Sequence, residues 1–241
     1  RLEKDIRMRQ VPSIQEQRLK LLIRSFIDTH VHVESTMMIP ENLSRAILPW
    51  GTTTICTDPH EIGNVMGIEG VEFMLDNAKK SKLRQYVLAP SCVPSVPGLE
   101  KFGAAEIGRL LDMDNVVGIA EIMDYVGVIN DTERMHSIIE EGVKRGMFLQ
   151  GHAPYCTGKE LAAYLIGGPV SDHESVSEDE VRAKLRAGMH INLRASSLID
   201  SLSFLVDGCK DMPWRDFVSV CTDDVHAKDL LTVGHINKVV G

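Results

Sequence analysis

Ile27-Asp28-Thr29-His30-Val31-His32-Val33 is an apolar, β-branched run, and Glu34-Ser35-Thr36-Met37-Met38 comes directly after it. The run reads as a strand. The segment after the strand decides between two folds built from parallel strands. An open doubly wound sheet normally carries a Gly-rich phosphate loop after its first strand. A (β/α)8 barrel needs none. No such loop stands here, so the barrel is favoured and the open sheet is the alternative.

Seven further short apolar runs extend the pattern: Thr52–Thr57, Tyr86–Ala89, Val116–Ala120, Met147–Gln150, a weak one near Val170, His190–Leu193 and Phe217–Cys221. Amphipathic stretches lie between them, at Glu41–Leu48, Ile68–Ser81, Ala104–Leu111, Thr132–Arg145, Lys159–Ile166, Glu178–Ala187 and Leu198–Cys209. A last helix is expected over Ala227–Val240. Strands alternating with helices imply parallel pairing through right-handed crossovers. Eight units in roughly 215 residues fit a (β/α)8 TIM-type barrel. The barrel is assigned to residues 26–241, with no internal boundary. Residues 1–25 form a charged N-terminal segment in which Arg18–Arg24 reads as a short amphipathic helix.

Lys and Arg number 26 against 34 Asp and Glu, a net charge of -8. That balance argues against binding to nucleic-acid backbones and leaves a neutral base open as a substrate. Five scattered cysteines with no CxxC pair argue against a disulfide framework and against a thiolate zinc site. No apolar run approaches about 18 residues. No membrane contact is expected, and the expected location is cytoplasmic.

In a barrel, chemistry gathers at the C-terminal strand ends. His30 and His32 alternate on strand one and face the same way, which is half of a transition-metal site. Strand two leads into Asp58-Pro59-His60-Glu61, and strand four into Glu121. Strand five leads into Gly151-His152-Ala153-Pro154, and strand six into Ser171-Asp172-His173-Glu174. Strand eight leads into Cys221-Thr222-Asp223-Asp224, with His226 nearby. Singly, each has a structural use, such as helix capping by Glu121 or Asp223. Jointly, the four histidines His30, His32, His152 and His173 with Glu121 and Asp223, at five of the strand ends, read as a metal centre. His136 and His190 read as structural, and His235 as a surface residue of the last helix.

These segments, in this order, resemble bacterial-type adenine deaminases of the metal-dependent amidohydrolase superfamily. The His-x-His pair is shared widely there, whereas the Asp-Pro-His-Glu and Ser-Asp-His-Glu segments flanking Gly-His-Ala-Pro are narrower. The resemblance covers about residues 26–240. It implies a binuclear centre. His30 and His32 would hold one metal, with Asp223 as a further ligand, and His152 and His173 would hold the second. Glu121 would be the bridging carboxylate. The implied reaction is hydrolysis of adenine to hypoxanthine and ammonia by a metal-activated hydroxide attacking C6. Asp223 would carry the proton to the amine, and Glu61 or His60 would protonate the ring. His60 and His226 are the candidate substrate-binding residues. The family implies Mn or Fe, while imidazoles and carboxylates without thiolate suit Mn, Fe or Zn alike.

Relatives of this type carry a flanking β-domain for which this sequence shows no segment, so the barrel reads as truncated. Apolar surface uncovered in this way would favour association with a second copy of the chain. Two alternatives stay open: another cyclic amide or amidine as substrate, and a catalytically incompetent metal-binding barrel fragment.

Overall fold

The computed structural model describes residues 25–96, 98–199 and 201–240. The helix expected over Arg18–Arg24 lies outside them. Among the described residues there are eight strands: β1 (Phe26–Val31), β2 (Thr52–Thr57), β3 (Arg84–Ala89), β4 (Val116–Ile122), β5 (Phe148–Gly151), β6 (Ser171–Asp172), β7 (His190–Arg194) and β8 (Val218–Cys221). β1 to β5 pair in parallel in chain order, as do β6 to β8. The two sheets join where Val170 N donates to Leu149 O at 3.1 Å. At the other seam, Asp223 N donates to His30 O and His32 N donates to Asp223 O, at 2.9 and 3.2 Å. The expected barrel is thus present, closed by β8 returning to β1.

The principal helices are α1 (Pro40–Ile47), α2 (His60–Met66), α3 (Ile68–Ala78), α4 (Ala104–Leu111), α5 (Tyr125–Ile129), α6 (Glu133–Lys144), α7 (Gly158–Ile166), α8 (Glu178–Arg186), α9 (Leu202–Cys209), α10 (Ala227–Thr232) and α11 (Ile236–Val240). In α1, Pro40 starts the helix with a preset φ. Leu43 and Ile47, one turn apart, pack against Val31 and Ile55 of the sheet. In α6, Met135, Ile138, Ile139 and Gly142 make the buried stripe, facing Ile119 and Leu149. Apolar cores of this kind hold the strands from outside, while their ends carry the polar residues.

Among the departures from a plain ladder, two lie toward the polar strand ends. Asp28 pairs with Ile55 and Val31 with Thr57, so β1 has one extra residue between them. Ile119 pairs with Leu149 and Ile122 with Gly151, so β4 has one extra residue too. Such bulges bend a strand and re-aim side chains. They fall at His30 and at Glu121. β4 therefore continues to Ile122, and Glu121 lies within it rather than after it.

The expected last helix is broken. Gly234 takes φ 125°, a conformation reserved for glycine, and separates α10 from α11. The turn sends His235 inward, not to the surface: it is only 2% exposed. Its Nδ1 lies 2.8 Å from Thr52 Oγ1 and its Nε2 3.0 Å from Asp28 Oδ2. Asp28 in turn accepts from Thr222 N at 3.1 Å and Thr222 Oγ1 at 2.6 Å. This network staples β1 to β8 just below the two strands' polar ends. His235→Leu is expected to cost about 1–3 kcal/mol, because a buried carboxylate loses a partner. An unchanged urea midpoint in that variant would show that the seam does not depend on it.

Candidate metal centre

His30 and His32 are buried at the end of β1, with their Nε2 atoms 3.1 Å apart. His32 Nδ1 donates to the carbonyl of Asp58 at 3.0 Å. A carbonyl can only accept, so that bond places a hydrogen on Nδ1 and leaves Nε2 to offer its lone pair, the usual arrangement of a ligating imidazole. Asp223 Oδ1 stands 3.2 Å from His32 Nε2 and 3.5 Å from His30 Nε2. Asp223 adopts φ 57°, a left-handed backbone that aspartate tolerates better than most residues.

Glu121, buried in β4, divides its two oxygens. Oε1 lies 3.4 Å from His32 Nε2 and 3.5 Å from His60 Nδ1. Oε2 accepts from His152 Nδ1 at 2.5 Å and lies 3.0 Å from His173 Nε2. His173 stacks on His30 with ring centroids 4.1 Å apart. The glycine before His152 permits this crowding, since a Cβ at Gly151 would collide with Ser171 O. Tyr164 of α7 fixes the same corner: its hydroxyl accepts from His152 N at 3.0 Å and donates to Ile122 O at 3.3 Å.

The cluster is rich in negative charge. Burial opposes a charge on His32, yet Asp223 and Glu61 beside it outweigh burial and raise its proton affinity well above the ordinary value. The same contest, won by Glu121, puts His173 at about 9. Asp58 does likewise for His60, whose Nδ1 donates to Asp58 Oδ2 at 3.2 Å, at about 9. Conversely, burial would raise Glu121 and Asp223, but the surrounding imidazoles hold both well below the carboxylate range. The carboxylates thus call for positive charge at their centre.

Whether a cation suits the place is answered by the polar atoms. His30 Nδ1, both ring nitrogens of His173, Asp58 Oδ1 and Glu61 Oε2 are buried with no hydrogen-bond partner. His173 Nε2 is near Glu121 without the alignment of a bond. Ligand atoms of His32, Asp58, His60 and Glu121 lie within 4.8 Å of one another, as do those of His30, His173 and Asp223, those of Glu121, His152 and His173, and those of His32, Asp223 and Asp224. Buried imidazoles and carboxylates left unpaired at that spacing fit a divalent metal ion.

The structure therefore brings together His30, His32, His60, Glu61, Glu121, His152, His173 and Asp223. Glu61 is partly exposed and lies 3.4 Å from His32 Nδ1. His226 stands apart, exposed at the N-terminus of α10, where its backbone N donates to Ser197 Oγ at 3.0 Å. Four polar neighbours go beyond the sequence reading. Asp58 joins the cluster and was visible within its own motif. Glu34 caps the end of β1 and accepts from Ile62 N at 3.2 Å, tying β1 to α2; burial and the Glu61 charge push its carboxyl to about 7. Arg194 and Glu174 pair beside Asp223.

The family model for amidohydrolases matches residues 21–233. The chain is 44% identical over 220 residues to adenine deaminase 2 of Rhizobium meliloti (strain 1021), covering 89% of this chain and 37% of that protein. It is 43% identical over 215 residues to the adenine deaminase of Klebsiella pneumoniae (strain 342), covering 87% and 36%. With the adenine deaminase of Methanothermobacter thermautotrophicus it shares 40% over 239 residues, covering 97% and 43%. The chain thus spans about two fifths of the length of these curated relatives. Among solved structures, a β-aspartyl dipeptidase from Fervidobacterium islandicum AW-1 is similar in fold, with TM-score 0.54 at 17% identity over 82% of this chain and 58% of that one. No helix among the described residues is long and apolar enough to cross a membrane. Strand-end histidines and carboxylates, barrel and family model agree: the chain belongs to the amidohydrolase family.

Proposed function

We infer that this barrel holds a binuclear divalent-metal centre and hydrolyses adenine to hypoxanthine and ammonia. The observation that carries the centre is the divided carboxylate of Glu121, one oxygen toward His32 and His60, the other toward His152 and His173. Identity of about 40–44% to adenine deaminases supports the substrate. His30 and His32 would hold one metal together with Asp223, and His152 and His173 the other, with Glu121 between. The donor set suits Mn, Fe or Zn, with Mn or Fe favoured by the family resemblance. When bound, such metals lower the pKa of water toward neutrality.

The chain's own residues then handle protons. Asp223 would take a proton beside the histidine pair and pass it to the departing amine. Glu61 or His60 would protonate a ring nitrogen. His60, whose Nδ1 donates to Asp58 Oδ2, is also the nearer substrate-binding candidate. His226 would meet substrate only at the exposed rim.

The test is ammonia release from adenine by protein reconstituted anaerobically with Mn(II) or Fe(II), with metal counted in the same sample. About two metals per chain with hypoxanthine formation is the expected result. Two metals with no turnover would remove adenine from the reading, and fewer than two would remove the binuclear centre.

A further inference from the structure

Arg194 ends β7, a strand whose end offers no metal ligand. Its side chain is buried between the ends of β6 and β8. Nη1 donates to Asp223 Oδ2 at 3.0 Å and also to Glu174 Oε1. Asp223 Oδ1 is the oxygen that faces His30 and His32. One carboxylate is therefore divided between a histidine pair and a guanidinium. The arginine is itself held. Its carbonyl accepts from Ser201 Oγ at 3.2 Å, and its backbone pairs with Cys221 in the β7–β8 ladder.

We propose that Arg194 is a positioning residue for Asp223, holding Oδ2 so that Oδ1 alone faces the histidine pair, and that Glu174 sets the arginine. The inference rests on reading Asp223 as ligand and proton carrier. An aspartate's terminal torsion is broad and roughly two-fold, so a free carboxylate would present either oxygen, or both, to the centre. A guanidinium presents its donors in a rigid plane and removes that freedom, whereas an ammonium is a point charge on a flexible stem. Glu174 adds a link around the rim. Its Oε1 lies 3.7 Å from His173 Nε2 while receiving Arg194. The orientation of the β8 carboxylate is thus tied to the segment that carries the β6 histidine.

The experiment compares Arg194→Ala, Arg194→Lys and Glu174→Gln with the unmutated protein. Each is loaded with Co(II), whose visible absorption reports ligand geometry, and each is assayed on adenine as the Mn(II) form. Arg194→Ala is expected to shift the Co(II) bands and to lower kcat by about 100-fold with KM within about threefold, as misplacement of a reacting group does. Millimolar guanidinium is expected to restore at least about tenfold of that loss. Arg194→Lys should recover less activity than guanidinium restores to Arg194→Ala, and Glu174→Gln should shift the same bands.

Unchanged Co(II) bands in Arg194→Ala would overturn the proposal. So would a raised KM with kcat intact, or failure of guanidinium rescue in a variant that melts like the unmutated protein. If Arg194→Ala does not fold, Glu174→Gln decides, and unchanged bands there overturn it. Should the unmutated protein bind Co(II) and release no ammonia, the adenine reading alone fails, and the spectra still judge the arginine.

Discussion

Lys184→Met is expected to lower the unfolding free energy by about 3–5 kcal/mol, the usual effect of removing one partner from a buried ion pair. Lys184 lies on α8 and is completely buried. Its ammonium donates to Ala153 O at 2.7 Å, Asp172 Oδ2 at 2.9 Å, Glu180 Oε1 at 2.6 Å and Ser175 Oγ at 3.3 Å. Methionine fills much of the same volume and supplies none of these bonds, so two carboxylates would be left in the interior without their cation. The acid limb should change as well. Burial pushes the Asp172 carboxyl up, but Lys184 outweighs burial and holds it at about 2. A carboxyl depressed on folding contributes stability above its ordinary pKa near 4, and that contribution fades as pH falls toward the folded value. Without Lys184, burial prevails and puts the folded carboxyl above its ordinary value, so this acid loss should disappear and the Asp172 contribution should instead improve as pH falls.

The same variant should weaken metal binding at His152 and His173. Ala153 comes after the first and Asp172 before the second, and Ala153 N donates to Asp172 Oδ1 at 2.9 Å. Lys184 grips both residues from behind the sheet. Thermal melts from pH 3 to 8, with metal counted after dialysis, would check both effects. A variant that melts like the unmutated protein and keeps its metal would show that the ammonium is dispensable.

Asp223→Asn is expected to lower turnover of adenine by at least about 1,000-fold, within the range that loss of a positioned proton carrier produces. Asparagine keeps the side-chain shape and an oxygen that can accept from Arg194. It also tolerates the left-handed backbone at this position. What it loses is the negative charge and the basicity. The melting temperature should therefore move far less than in the lysine variant, separating chemistry from folding. Steady-state kinetics beside a circular-dichroism melt would decide, and near-normal turnover would remove Asp223 from the proton route.

Much of the site was legible because its signals are local. A His-x-His pair on a strand needs only the two-residue repeat to bring both rings together, and the two Nε2 atoms lie 3.1 Å apart. The Asp-Pro-His-Glu, Gly-His-Ala-Pro and Ser-Asp-His-Glu segments likewise sit directly at their strand ends. Legibility ended where partners come from far along the chain. Lys184 sits on a stretch that reads as amphipathic, where a lysine is expected on the solvated face, and acceptors just after β5, in β6 and on its own helix explain its burial. His235 fell inside an apparently continuous helix because a single glycine in a helical pattern does not announce a break. β6 is two residues long, too short to show alternation, and reads only as a weak run. The extra residues in β1 and β4 shift register without altering composition, so no periodicity could reveal them.

The left-handed backbone at Asp223 carries an implication for how this lineage can diverge. A descendant without the proposed reaction would still be biased toward aspartate, asparagine or glycine there, because most other side chains strain that conformation, though Met37 and Tyr155 of this chain adopt it. An aspartate found at this place in a distant member is therefore poor testimony that the member is active. The histidines, which face no such backbone demand, are the better witnesses.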